Sequence, residues 1–110
     1  MKLYDLLFES KQTNDNFEEF AETRGKGAAK IATTAEEKGG LALLTWHHFK
    51  VKAAYYRRAT AGKFDIDSAK KEFAETLKKI SLDLTAIEFQ REMGRLEVLG
   101  ELIIRDQKGK

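Results

Sequence analysis

Lys50, Lys52, Arg57 and Arg58 crowd into one short stretch of the chain, interleaved with Trp46, His47, Tyr55 and Tyr56. The chemistry these groups offer is attraction rather than bond-making. Ammonium and guanidinium groups bind phosphates or carboxylates, and aromatic rings add flat apolar area. Placed on a helix, His47, Lys50, Ala54 and Arg57 follow one another at steps of three or four residues and share one stripe. Lys52, Tyr56 and Lys63 form a neighbouring stripe, with Arg58 at the border. Between Lys38 and Phe64 there is no Asp or Glu, so all 18 acids of the chain lie elsewhere. A chain of formal net charge only +2 therefore carries a concentrated basic segment, suited to a polyanion or an acidic protein surface. His47, Lys50, Lys52, Tyr56, Arg57 and Arg58 are the candidate partner-binding residues. The competing expectation is that Glu72, Glu75, Glu88 or Glu92 on neighbouring helices neutralises the stripe once the chain folds.

Other chemistries find little footing. His47 and His48 are adjacent, and on a helix adjacent side chains diverge by about 100°, so the two rings do not converge on a metal. His48 falls on the apolar side, where a hydrogen-bonded core histidine is the simpler role. A di-metal site of the ferritin type needs a Glu three residues before a His, and neither His has one. Glu88/Glu92 and Glu97/Glu101 are spaced i, i+4, and with Arg91, Arg95 and Arg105 nearby they read as solvated edges. The run from Arg24 to Lys30 is glycine-rich but lacks the spacing and the Lys-Ser/Thr ending of a phosphate-binding loop. Ser10, Ser68 and Ser81 sit at cap or turn positions, and no serine elbow is present. With no cysteine, thiolate zinc sites, disulfides and cysteine nucleophiles are excluded. The sequence assigns no catalytic residue, no metal ligand and no cofactor site, and it reads as a non-enzyme.

The elements that must carry the basic stripe are helices. The chain has 110 residues, 42% of them hydrophobic and 35% charged, enough for one soluble domain spanning 1–110 with a modest core. It contains no proline, and valine occurs only at Val51 and Val98; such a composition favours long helices. Apolar residues recur at helical spacing almost throughout. An all-α bundle follows, with four main helices at about 14–38, 41–61, 65–80 and 85–106 and a short N-terminal helix at 2–9.

Local signals set these limits. Asn16 with Glu19 suggests a capping box for the first main helix. Its apolar positions are Phe17, Phe20, Ala21, Ala28, Ile31, Ala32 and Ala35. Gly25 and Gly27 within it mark a kink or a close approach of another backbone. The pair Gly39-Gly40 ends it. In the basic helix the expected core positions are Leu41, Leu44, His48, Val51, Tyr55 and Ala59, and Gly62 stops it. Asp65 is the expected N-cap of the third helix, whose stripe is Ile66, Ala69, Phe73, Leu77 and Ile80. Thr85 with Glu88 forms a second capping box. The last helix shows Phe89, Met93, Leu96, Leu99 and Ile103 on one side, with Ile87, Val98 and Leu102 off that stripe. Such breadth suits either the central helix of the bundle or the seam of a homodimer.

The first ten residues, from Met1 to Ser10, resemble the amino-terminal segments of internal head proteins of T-even-like tailed phages. In that group a segment of the type Met-Lys-x-Tyr, followed by apolar residues and a Glu, directs the protein into the prohead. A phage protease then cuts after an apolar-x-Glu sequence, which Leu7-Phe8-Glu9 matches. The resemblance covers about a tenth of the chain. It implies a docking or targeting role for residues 2–9 and a location in a virion or host cytoplasm. The lysine content is lower than a DNA-condensing internal protein would carry.

No apolar run approaches the roughly 20 residues that span a bilayer, and the start makes a poor secretory signal. The cytoplasm is the expected location and no membrane partner is expected. The leading expectation is a small non-enzymatic interaction protein that docks an acidic protein through helix 41–61. A second reading has the same stripe bind nucleic acid. A third is a structural or oligomerising component, such as a phage virion protein, with a homodimer formed through helix 85–106.

Overall fold

The computed structural model describes residues 14–108, and the expected helix at 2–9, with the phage-like segment, lies outside them. Four helices follow in order: α1 (Asn14–Lys38), α2 (Ala42–Thr60), α3 (Ile66–Ile80) and α4 (Ala86–Lys108). No strand occurs among the described residues, and the chain is an all-α bundle. Each helix lies within two residues of its expected limits; α1 begins at Asn14, so Asn16 sits inside it and the expected capping box with Glu19 does not start the helix.

The punctuation works locally. Gly39 and Gly40 both adopt positive φ (64° and 57°), where a side chain would be strained, and the chain reverses into α2. The Asp65 carboxylate accepts from the Ser68 backbone N–H at 2.9 Å and caps α3. Thr85 and Glu88 bond reciprocally: the Thr85 N–H donates to Glu88 Oε1 at 3.0 Å, and the Glu88 N–H donates to Thr85 Oγ1 at 3.2 Å. The Thr85 backbone N–H first, and the Thr85 hydroxyl second, hold the exposed Glu88 carboxyl below its usual range.

The helices pair as two hairpins, α1 with α2 and α3 with α4, joined because α2 packs along α4. Matching side chains advance together, His48 and Lys52 with Glu97 and Tyr56 with Glu101, so α2 and α4 run in the same direction. The core lies at this joint: Ala21 and Ala28 of α1, Ala53, Tyr56 and Ala59 of α2, and Val98 and Leu102 of α4. Each large apolar side chain buried there contributes about 1.5–3 kcal/mol. Val98 and Leu102, which fell off the apolar stripe, are 0% and 1% exposed. α4 touches every other helix and is the central element.

Small residues let the helices close in. A Cβ on Gly25 would sit 3.0 Å from Tyr56 Cβ, so Gly25 marks the close approach of α1 to α2, whereas Gly27 faces open space. A Cβ on Gly94 would come within 2.5 Å of the His48 carbonyl oxygen, so there the two backbones nearly touch. The bundle's geometry also corrects several expected core positions. Leu41 is 88% exposed, and Ile31, Leu77 and Phe89 are exposed too. For the basic segment the reason is that α1 and α4 pack against α2, whose buried face centres on Ala53, Tyr56 and Ala59.

Candidate functional site

Helix α2 carries the basic residues, and its two faces meet different surroundings. Toward the core, Tyr56 is 2% exposed and its hydroxyl donates to Glu101 Oε1 at 2.8 Å. Burial first, and then this bond, push the Tyr56 hydroxyl well above its ordinary value of 10.0. Tyr56 is therefore a core residue and drops out of the candidate partner surface. Lys52 retains 13% of its side-chain exposure, and its ammonium lies 3.3 Å from Glu97 Oε1. It is answered within the fold and contributes little to an outer surface.

His48 shares the same acceptor, its Nε2 lying 3.2 Å from Glu97 Oε1, which bears out a largely buried histidine. Its Nδ1 is buried without a partner among the described residues. Glu97 keeps an exposed edge and Glu101 is half-buried, and both are acceptors that α4 turns toward α2. Their signal was in the sequence: Glu97/Glu101 and Lys52/Tyr56 share the same four-residue spacing, and the parallel run of the two helices sets them side by side.

At the corner where α2, α3 and α4 meet, the Tyr55 hydroxyl donates to Glu72 and accepts from Arg95 Nε at 3.0 Å. Burial first, and the Glu72 bond second, raise the Tyr55 hydroxyl above its ordinary range. Arg95 Nη1 donates to both Glu92 oxygens at 2.7 Å, and Glu72 stands 4.0 Å from Arg95 Nε. Glu72 and Glu92 are therefore committed to Arg95 and Tyr55. Neither reaches the basic stripe of α2.

The outer face differs. Lys50, Arg57 and Arg58 are exposed and His47 is half-buried. None has a carboxylate within 4.0 Å among the described residues. Lys50 lies over the Trp46 ring, 4.5 Å from its centroid, and Arg58 lies over Tyr55 at 5.0 Å. His47 meets Trp46 edge-on at 4.6 Å. From α4, Arg91 joins this side, exposed and likewise without a carboxylate partner; no spacing rule in the sequence links it to α2. Of the six candidates, His47, Lys50, Arg57 and Arg58 stay together on the outside, and Lys52 and Tyr56 turn inward.

No group of three or more His, Asp or Glu placed to hold a metal occurs among the described residues. Nor is any described helix long and apolar enough to cross a membrane. Comparison with family models, with curated proteins and with solved structures finds no match to this chain.

Proposed function

We propose that this chain is a small non-enzymatic interaction protein that docks an acidic protein surface through the outer face of α2. The observation that carries the reading is the set of exposed cations, Lys50, Arg57 and Arg58, left without carboxylate partners among the described residues while Glu72, Glu92, Glu97 and Glu101 are engaged elsewhere. A rigid helix presenting fixed positive charge steers and orients an acidic partner. The same cations would attract nucleic acid, but the rings on which bases would stack are engaged. Trp46 carries Lys50 and His47, and Tyr55 carries Arg58. A phage setting draws only on the resemblance of the first ten residues.

The test is the double charge reversal Lys50→Glu/Arg57→Glu, compared with wild type in affinity capture from lysate and in DNA and RNA titrations at two salt concentrations. Loss of a captured acidic protein, with no strong salt-sensitive nucleic-acid binding in wild type, is the expected result. Capture unchanged by the reversal sinks the reading. Nucleic-acid binding that the reversal abolishes and salt steeply weakens would replace it with the nucleic-acid alternative.

A further inference from the structure

Beside the outer face of α2, an open cleft of about 350 Å³ separates it from α4. Trp46, His47, Lys50, Val51 and Ala54 line it from α2 and Arg91 from across on α4. Among the described residues no acid lines it. Tyr55 and Arg95 complete the wall, but the Arg95 guanidinium is already bonded to Glu92 and the Tyr55 hydroxyl. The cations free to receive a guest are Lys50, held in place over Trp46, and Arg91. The ring of His47 meets Trp46 edge-on in the same wall. Val51 and Ala54 between them give the cleft an apolar part.

That combination selects its ligand. An unpaired guanidinium accepts a carboxylate in a planar two-point contact, and an ammonium fixed on an indole adds a second charge from the opposite helix. The apolar lining of Val51 and Ala54 is wasted on a bare inorganic anion but can be covered by a neighbouring side chain of a peptide. We infer that this cleft is the anchor point of the partner: it takes an Asp or Glu side chain from an acidic peptide segment, together with the apolar side chain beside it. The inference rests on the acidic-protein reading of α2 and gives that surface its specific pocket.

The sole tryptophan of the chain, Trp46, lines the cleft, so its emission reports occupancy directly. The probe is a capped synthetic peptide alternating Asp and Leu, titrated into the full chain, with the same peptide carrying Asn for Asp as control. A saturable emission change with the Asp peptide alone is expected. Arg91→Gln, which removes one charge-assisted contact, should weaken it about tenfold. Ala54→Phe, which fills the cleft without altering charge, should do the same; both variants are first checked for wild-type helicity.

If both variants bind the Asp peptide as wild type does, or if no peptide binds, the cleft assignment is overturned. The reading of α2 still stands in that case provided Lys50→Glu/Arg57→Glu loses the captured partner. A tighter saturable response to inorganic phosphate or to oligothymidylate than to the Asp peptide would overturn the carboxylate assignment.

Discussion

The inner and outer faces of α2 are built from the same residue types yet behave as different materials. Inside, Lys52 and Tyr56 find Glu97 and Glu101, and each polar head is matched by one acceptor on α4. Outside, Lys50, Arg57 and Arg58 have rings or solvent beside them but no carboxylate among the described residues. The difference teaches that the acids of this chain are distributed unevenly by the packing. Glu72, Glu92, Glu97 and Glu101 of α3 and α4 are used to hold the bundle together, and the outer side of α2 keeps its charge. A positive helix face persists on a nearly neutral chain because the neutralising groups point the other way.

The comparison can be broken most forcibly at Tyr56. Tyr56→Ala should cost about 3–5 kcal/mol, since it empties the centre of the joint and removes the hydroxyl from Glu101, which keeps only Arg24 at 3.4 Å; urea unfolding would measure it. Next comes Gly94→Ala, whose new methyl would meet the His48 carbonyl at 2.5 Å, closer than any real Cβ contact. Forcing α2 and α4 apart should lower stability by about 1–3 kcal/mol, and a neutral result would mean the helices are less tightly held than described. Lys52→Glu sets a second carboxylate against Glu97 and should destabilise by about 1–2 kcal/mol.

In contrast, Lys50→Glu/Arg57→Glu should change stability by less than about 0.5 kcal/mol while removing partner binding. Equal destabilisation by the inner and outer charge changes would erase the distinction between the two faces.

Alkaline pH sharpens the same contrast. The Tyr56 and Tyr55 hydroxyls are raised above 10.0 in the fold. Their contribution is therefore complete below pH 10 and is lost as pH rises past it, because the unfolded chain ionises first. Tyr56→Phe should flatten part of this alkaline decline in a series of unfolding curves. It should also lower stability near neutrality by about 1 kcal/mol through the lost bond to Glu101.

The helices were legible because their limits are written in short-range chemistry. Gly39-Gly40, Asp65 and the Thr85/Glu88 box act over three or four residues, and each acts as the spacing indicates. The site was only partly legible. His47, Lys50, Arg57 and Arg58 share an outer face, as helical periodicity implied. Tyr56 was misplaced because periodicity says which residues share a face but not where that face points. Arg91 was invisible, lying more than thirty residues from the stripe on a helix whose rotation about its axis no local signal sets.

The sequence by itself determined four helices, their ends and an acid-free basic segment, since hydrogen-bonded turns, caps and charge patterning are local properties of the chain. Only the tertiary structure decided that α4 is central, that Glu97 and Glu101 face α2, and that Arg91 stands across a cleft from Lys50. Those outcomes depend on how closely Gly25 and Gly94 let neighbouring backbones approach and on the direction in which α2 and α4 pack. Such choices are made between surfaces distant in sequence, where close packing of side chains, and not the pattern along one helix, selects the arrangement.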